Sequence, residues 1–429
     1  MKNFLIIFLG LALLMPLFAQ EGEIDTAAEA LPWEGDVLGE DLSFGDDEEP
    51  LEKKPMTYAR ESFEFGLGIG GIGVGFDNGL MGIGNVLKKN IVVDLDEIAS
   101  HITKDGVNIN FDIFMNILFV NIKNIEIQGG IWDFGFSSDL AGDLNINLPE
   151  SLFELISHGN INQRSFDGLL SASGGVFAGA TLGGSAKYGK LRLGLKPGFY
   201  APLVYVPKSG ITYHLDSEDY LSVRTSGGIS VYSPFVENGE VKVGMDLTLE
   251  GGYDLFPFLD LGGTFSQIPF VPVTLKNRMR LTMDEFEFEV KDLLGDGKIP
   301  EIPKLDFDTV YDVETIKAMR PMRFDVYARY KPFENEFLVV KPNLGFSVNF
   351  ARERGYFNAG LEGQLNLKDL FKVHLGTGSE EGIWKHRLGF ALNLRAFEWT
   401  LEATLRSQSF AGSFSGQGLG LSTGFSFGW

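Results

Sequence analysis

Histidine and cysteine are the side chains most often used for metal binding and nucleophilic chemistry, and this sequence offers few of them. Cysteine is absent and histidine occurs five times. No two histidines have the His-x-x-x-His spacing of a zinc site, and nothing resembles a nucleophile elbow, although a Ser-His-Asp or Ser-His-Asn hydrolase stays open in principle. The sequence therefore predicts no enzyme, no metal site and no cofactor. The five are His101, His158, His214, His374 and His386.

Two other stretches have residues that could bind a ligand. Gly66 to Gly71 is rich in glycine like a phosphate-binding loop, but it lacks the Gly-Lys-Ser/Thr ending and lies within alternating residues. It is better interpreted as a strand with a small-residue face. Asp292 to Gly297 and the acidic residues of 306–314 have ligands for a divalent cation. Because the order of an EF-hand loop is missing, a solvated outer loop is favoured.

Composition narrows the class of protein. The chain has 429 residues, a net charge of −22, 54 glycines and 37 phenylalanines. The absence of cysteine excludes disulfides and a lipid anchor on cysteine. The acidic balance argues against nucleic acid and anionic lipid surfaces as partners. A mean hydropathy of +0.04 gives no sign of a helical membrane protein, whereas transmembrane strands alternate and average to such values.

The N-terminal segment 1–20 has the pattern of a secretory signal peptide. Lys2 supplies the positive charge, Phe4 to Phe18 form the apolar stretch, and Ala19 is the small residue at the expected cleavage site. A membrane-anchoring helix is the alternative, but the stretch is short for a span and acidic residues follow it. The sequence thus predicts export, with a mature chain that begins at residue 20 or 21.

The next segment, 21–60, is acidic and interrupted by prolines. Asp46 to Pro50 is its centre, and it has few apolar residues to bury. Such a composition predicts a disordered leader. It is either a simple solvated leader or a periplasmic tether or cation-binding tail.

From residue 61 to 429 the pattern is one of short alternating runs. In Val241 to Leu249, for example, the odd positions are apolar and the even ones are polar or small, as in a strand with two different faces. Many runs reach about 10 residues, enough to cross a bilayer when tilted. The candidate strands are 63–70, 107–113, 125–134, 168–187, 190–206, 221–236, 240–255, 258–268, 277–291, 321–333, 336–350, 354–367, 371–378, 383–394, 397–407 and 413–429.

Charged residues inside these runs stand opposite the apolar side chains. A soluble sandwich would turn them to water, and a barrel would turn them to a polar lumen. The signal peptide, the strand lengths and the strand number favour the barrel. We therefore predict an all-β fold, a transmembrane antiparallel β-barrel of about 14 (12–16) strands with short helices in long loops. The charged residues are Lys242, Asp246, Arg280, Arg329, Lys331, Lys385, Arg387, Glu402 and Arg406.

The lengths of the connections support the same fold. The long connections are 77–106, 138–167, 207–220 and 292–320. They are the first, third, fifth and ninth connections along the chain, as expected if every second connection is an outer loop and those between are short inner turns. Residues 92–102 and 149–158 have helical spacing and would pack at the rim or plug the mouth. Tight turns are predicted at 120–124, 188–190, 237–240, with Asn238-Gly239 as a type I′ signal, and 334–336.

The chain ends on alternating aromatic residues. Phe425, Phe427 and Trp429 fall on one face of a strand, with Gly424 before them. A buried terminal strand of a soluble sandwich is one interpretation. The other is a lipid-facing strand with an aromatic girdle. Gly424, Phe425, Phe427 and Trp429 resemble the C-terminal assembly signal of bacterial outer-membrane β-barrels, which implies recognition by the barrel-assembly machinery.

A wider resemblance lies between Ile125 and Val206. Residues 147–160 read Asn-Leu-Pro-Glu-Ser-Leu-Phe-Glu-Leu-Ile-Ser-His-Gly-Asn, and a later strand runs into Lys196-Pro197-Gly198. This order resembles outer-membrane proteins related to the long-chain fatty acid transporter group and its porin-like relatives. The Asn-Pro-Ala sequence that this group has near the mature N-terminus is missing. The most similar stretch in this chain is Gly84-Asn85-Val86-Leu87. The resemblance implies a barrel of about 14 strands that passes hydrophobic or small solutes, and it transfers no ligand-binding residue.

The sequence thus predicts a channel or transporter of the cell outer membrane for small or hydrophobic solutes. Its expected partners are outer-membrane lipid and the barrel-assembly machinery, without nucleic acid, and the solute and oligomeric state stay open. The alternative is a non-conducting barrel that acts as a surface adhesin or as an assembly or secretion subunit.

Overall fold

The computed structural model describes residues 65–79, 106–151, 165–216, 221–236, 240–283, 286–288, 307–333, 336–367, 370–394 and 396–428. All of them belong to one compact unit. The predicted signal peptide 1–20 with Ala19, the leader 21–60, the helix at 92–102, His101, His158, Asp292 to Gly297 and Trp429 lie outside the described residues.

The described residues form antiparallel strands and one short helix. The strands are β1 (Phe65–Asn78), β2 (Val107–Ile127), β3 (Gly130–Leu148), β4 (Ser165–Tyr188), β5 (Leu191–Asp216), β6 (Leu221–Tyr232), β7 (Gly244–Phe256), β8 (Leu259–Val271), β9 (Val273–Met283), β10 (Phe286–Phe288), β11 (Phe307–Ala318), β12 (Met322–Tyr330), β13 (Leu338–Asn349), β14 (Arg354–Leu367), β15 (Phe371–Glu380), β16 (Ile383–Leu394), β17 (Phe397–Ser407) and β18 (Gly418–Gly428). The helix is α1 (Phe410–Phe414), between β17 and β18.

Fourteen of these strands close into a ring. The order around it is β1, β2, β3, β4, β5, β7, β8, β12 and then β13 to β18 in sequence, and β18 pairs with β1 from Gly66 opposite Gly428 to Asp77 opposite Gly418. Closure leaves the ring without an edge strand, so every strand has two hydrogen-bonding neighbours. The predicted all-β barrel of about 14 strands is confirmed.

The four strands outside the ring are β6, β9, β10 and β11. They continue the wall beyond the end of the ring. Pro272 separates β8 from β9, and Pro321 precedes β12 in the segment that follows β11. Because proline has no N–H for the ladder, it marks the points where these strands change neighbours. β9 pairs with β11 and β6, while β8 pairs with β12 and β7.

The predicted hairpin at 237–240 is wrong. β6 and β7 both pair antiparallel with β5, so they run in the same direction and are two parts of one wall strand. Asn238-Gly239 itself lies outside the described residues. The same error explains the two extra strands in the predicted list. The segments 221–236 and 240–255 were predicted as two membrane crossings but form one, and so do 258–268 and 277–291.

The connections at the two ends of the barrel differ in length as predicted. The end where β1 begins and β18 ends has short turns, such as Gln128-Gly129, whose φ values of 50° and 76° match a type I′ turn. The other end has the long connections 79–106, 149–164 and 289–306. Three predicted boundaries are wrong: β3 runs to Leu148, β5 to Asp216, and β11 begins at Phe307 within the predicted loop 292–320.

The predicted turn at 120–124 is also wrong. Residues 120–124 lie inside β2, where Asn124 has a φ of 59° and the pairing with β3 shifts between Ile122 and Ile125. Asn124 forms a β-bulge within β2. The chain reverses direction only after Ile127. The predicted strand 125–134 therefore spans the end of β2, the turn and the start of β3.

Apolar side chains cover the outer face of the ring. Along β5, Leu191, Leu193 and Leu195 are 44%, 57% and 54% exposed, while Arg192 and Lys196 stand at the alternate positions and face the lumen. A sandwich in water would bury such a row, whereas lipid solvates it. The alternative of a soluble sandwich is therefore rejected, and the chain is a transmembrane barrel of the outer-membrane type. In the described part of the chain, no helix has the length and apolarity needed to cross a membrane.

Aromatic rings gather at the end with the short turns. Trp132 contacts Phe134 and Tyr188 with ring centroids 6.1 Å apart in each case, and Phe258 contacts Tyr330 at 6.1 Å. Rings with an apolar body and a polar edge favour the interface between lipid and water. These contacts form part of an aromatic girdle at the short-turn end, which faces the periplasm in barrels of the outer-membrane type.

Candidate functional site: the barrel lumen

The lumen is lined by charged residues from alternate positions of the wall strands. On β16, Lys385 and Arg387 both bind Glu380 of β15, at 3.0 and 2.7 Å. On β17, Arg406 binds Asp77 at 2.8 Å and Asp112 at 2.6 Å. The predicted placement of strand charges on a lumen face is correct for these residues. Lys385 and Arg387 have their partner on the neighbouring strand, whereas Arg406 reaches past β18 to β1 and β2.

Other predicted lumen charges also have partners. Arg329 and Lys331 bind Glu336 at 3.0 and 2.8 Å, near the periplasmic turn, where the hydrogen bond from Lys331 lowers the pKa of Glu336. Lys242 also has a partner, Glu240 at 3.8 Å, but it lies between β6 and β7 and not within a strand. The remaining positions are Asp246 in β7, Arg280 in β9 and Glu402 in β17.

A chamber of about 230 Å³ lies in the lumen. Its apolar wall includes Ala141, Phe177 and Ile383, and its charged wall has four cationic and four anionic side chains. The formal charges therefore cancel, and the chamber has no built-in preference for either sign of ion. The charged side chains are Arg320, Arg323, Arg352, Lys385, Asp112, Asp143, Glu380 and Glu381.

Two arginine–aspartate pairs cross the lumen beside this chamber. Arg320, between β11 and β12, binds Asp139 of β3 at 2.7 Å and lies 3.7 Å from Asp246 of β7. Arg352, in the loop between β13 and β14, binds Asp143 of β3 at 2.6 Å. β3 and β14 are seven places apart in either direction around the ring, so the second pair joins opposite walls.

An apolar cluster lies next to these bridges. Phe177 contacts Tyr200 and Tyr205 with ring centroids 6.1 and 6.3 Å apart, and Ala351 of the β13–β14 loop packs with them. The Tyr200 hydroxyl donates to Val271 O at 3.3 Å or to Ala318 O at 3.4 Å. The bridges and the cluster together narrow the lumen.

The bridging residues were missed at the sequence level. Asp139, Asp143 and Arg320 fall in stretches that were predicted as loops, and Arg352 falls between two predicted strands. A signal was present for β3, because Leu140, Leu144 and Ile146 alternate with polar residues, which is the pattern of a strand. Nothing in the sequence indicates which arginine each aspartate binds.

The three histidines that the structure describes, His214, His374 and His386, do not form a metal site together. His214 binds Asp167 at 2.6 Å at the top of β5. His386 contacts Thr377 at 2.9 Å and Ser413 of α1 at 2.7 Å. α1 begins at an N-cap, Ser409, whose Oγ accepts from Gly412 N at 3.0 Å, and this helix was not predicted. Among the described residues, no group of three metal-ligating side chains comes together.

The acidic residues of 306–314 that the structure describes are not a loop. Asp312 and Glu314 lie in β11 and both bind Arg278 of β9. They stabilise the pairing of the two strands. The structure therefore gives these two carboxylates a protein partner in place of the expected solvated loop.

Three of the four residues of the predicted assembly signal, Gly424, Phe425 and Phe427, lie in the closing strand β18. Phe425 and Phe427 face outward, and both contact Phe397 of β17, with centroids 6.0 and 5.4 Å apart. Gly424 faces the lumen side between β17 and β1. The strand position suits the predicted role, which stays a prediction.

Comparisons with known proteins agree with this architecture. No protein-family model matches the chain, and no curated protein matches it. The barrel is similar to the solved structure of the deltaS2S3 mutant of the monoaromatic hydrocarbon channel TodX, with a TM-score of 0.50 and 9% identity over 86% of this chain and 91% of that one. This chain has the fold of an outer-membrane channel barrel. At the level of the fold, the likeness confirms the resemblance to the fatty acid transporter group.

Two further solved structures are similar at lower scores. The toluene transporter TodX of P. putida has a TM-score of 0.44 and 10% identity over 87% of this chain and 91% of that one. A FadL homologue of Pseudomonas aeruginosa has a TM-score of 0.40 and 7% identity over 85% of this chain and 90% of that one.

Proposed function

We propose that this protein is an outer-membrane channel through which small solutes, hydrophobic ones included, cross by way of the lumen chamber. The observation that carries the proposal is the chamber itself, inside a closed ring of strands with an apolar outer face. The solved structure of similar fold is described as a channel for monoaromatic hydrocarbons, which supports transport rather than catalysis.

The size and lining of the chamber suit a small ring. A cavity of about 150 Å³ with apolar walls is enough to bind benzene in another protein, and this chamber has about 230 Å³. Phe177, Ala141 and Ile383 provide apolar contacts. The charged side chains around them are largely paired with one another, so an uncharged solute does not compete with these ion pairs for a charged partner.

The second candidate is a non-conducting barrel, an adhesin or an assembly or secretion subunit. The observation in its favour is that two bridges and an apolar cluster cross the lumen. Under either proposal the partners are outer-membrane lipid, on the apolar outer face, and the barrel-assembly machinery, which would recognise Gly424, Phe425, Phe427 and Trp429. Nucleic acid is not a partner of a chain with a net charge of −22.

The test is flux through purified, refolded protein in liposomes. We expect swelling in isotonic glycerol or arabinose, and faster uptake of a small aromatic solute than in protein-free vesicles. Ala141→Phe should reduce both by filling the chamber. Ala403→Phe is the matched control, since Ala403 lies on the lipid face of β17 between Leu401 and Leu405, and it should leave flux unchanged.

Absence of flux from a correctly folded barrel would overturn the channel and favour the non-conducting alternative. Equal flux in wild type and Ala141→Phe would show that solutes avoid the chamber.

A further inference from the structure

The loop between β13 and β14, residues 350–353, lies inside the barrel instead of projecting from it. The Lys208 N–H of β5 donates to Ala351 O at 2.8 Å, and β5 is separated from β13 by three strands of the ring. Ala351 is buried in the apolar cluster with Tyr205. A loop of four residues that contacts a distant wall narrows the passage beside the chamber.

The loop is compact and well connected within itself. Arg352 N donates to Asn349 Oδ1 at 3.2 Å, and Glu353 N donates to Phe350 O at 3.4 Å. Glu353 has a φ of 53°, a left-handed conformation that turns the chain sharply into β14. These contacts make the loop a single compact unit between β13 and β14.

The charged contact of this unit with the opposite wall is made to one carboxylate. Asp143 of β3 accepts from Arg352 at 2.6 Å and from Asn349 at 3.4 Å. The Arg352 and Asp143 side chains are only 8% and 19% exposed. A charge-assisted hydrogen bond shielded from water is among the stronger polar contacts in a protein, whereas Asn349 shares its amide with Glu381 at 3.3 Å.

We propose that the 350–353 loop is a gate over the lumen chamber and that the Arg352–Asp143 pair is the latch that holds it closed. The proposal rests on the proposed channel function, and it assigns the regulation of that passage to one ion pair. Opening separates Arg352 from Asp143 and swings the loop toward the mouth. Asp143 stays on β3, and water then solvates both charges.

The neighbouring bridge provides an internal contrast. Arg320 also binds an aspartate of β3, Asp139. It lies in the barrel wall at the junction between β11 and β12, and a second carboxylate, that of Asp246, is 3.7 Å away. Loss of Asp139 leaves Arg320 with a partner and moves no loop. Asp139 and Asp143 therefore lie on the same face of the same strand but have different roles.

The experiment is single-channel recording in planar bilayers with the refolded full barrel. Asp143→Asn and Arg352→Gln should each raise the open probability by about tenfold or more, because the closed state loses a contact that the open state lacks. Glu250→Gln removes one negative charge from the Lys196–Glu250 pair, which joins the adjacent wall strands β5 and β7, and it should stay within about twofold of wild type. The charge swap Asp143→Arg with Arg352→Asp should restore closure, as a double-mutant cycle requires.

Each outcome is informative. Heat-modifiable migration on gels first shows that every variant is a folded barrel. If Asp143→Asn fails to fold, Arg352→Gln and the charge swap still decide the question. Wild-type conduction with no gain in the single variants, or a charge swap that behaves like them, would overturn the latch and leave the channel standing. Silence in wild type and all folded variants would overturn the channel and the latch with it.

Discussion

The outer face and the lumen face of this barrel are built from alternate residues of the same strands, yet they follow different rules. On β17, Leu401 and Leu405 point to lipid, while Glu402 and Arg406 point to the lumen. The outer positions need only be apolar and large, because lipid solvates any such side chain. The inner positions need particular partners, because a charge removed from water is costly without one.

The largest expected effect concerns the seam where the ring closes. Replacing both Phe425 and Phe427 by Ser should abolish accumulation of folded barrel in the outer membrane, because β18 closes the ring on β1 and carries the proposed assembly signal. Outer-membrane fractions analysed for heat-modifiable migration give the readout. Leu344→Ser with Phe346→Ser on β13 removes two comparably exposed outward side chains away from the seam, and this control should still assemble. Loss of assembly in both pairs would deny the terminal strand a special role.

The next effect is on the lumen face. Arg406 is 4% exposed in its side chain and bridges Asp77 and Asp112. Arg406→Leu leaves two carboxylates without their cation, so it should lower the free energy of unfolding by roughly 3–5 kcal/mol. Urea unfolding in lipid vesicles measures this. Lys341→Met is the control, because Lys341 and Glu362 are 3.8 Å apart and well exposed, and it should change stability by less than about 1 kcal/mol. Similar losses in the two variants would contradict the account of a specific lumen face.

A smaller effect is expected for charge on the outer face. Leu388 lies in the middle of β16 with its side chain toward lipid, so Leu388→Lys should cost about 2–4 kcal/mol of unfolding free energy. Gln364→Lys places the same charge on the lumen face of β14, near Glu362, and should cost far less. The same unfolding assay compares them. Equal costs would mean that the two faces are not solvated differently.

The difference between the faces also explains how much could be predicted from the sequence. The outer face repeats every second residue, so alternation in stretches such as Val241 to Leu249 was enough to predict strands, a barrel and about 14 crossings. Alternation does not show which strands pair, and therefore β6 and β7 were predicted as a hairpin although both pair with β5.

The lumen face was predicted only in part, for a physical reason. Residues such as Arg387 and Arg406 stand in regular alternation and were identified as lumen charges. Arg320 and Arg352 stand where alternation stops, at a strand junction and in a loop, and their partners on β3 are 181 and 209 residues away in sequence. Such a pairing depends on closure of the ring, which no local pattern records. The short helix α1 was missed because its five residues have no helical periodicity to detect.

The most direct test of the central claim is cysteine scanning of β17 during planar-bilayer recording. The chain has no cysteine of its own, so each introduced thiol is unique. A charged, water-soluble thiosulfonate should change the current in Thr400→Cys, Glu402→Cys and Thr404→Cys, and leave Leu401→Cys, Ala403→Cys and Leu405→Cys unaffected. That result would show a conducting lumen lined by alternate residues. Current changes at the odd positions, or no current from the folded barrel, would contradict the account.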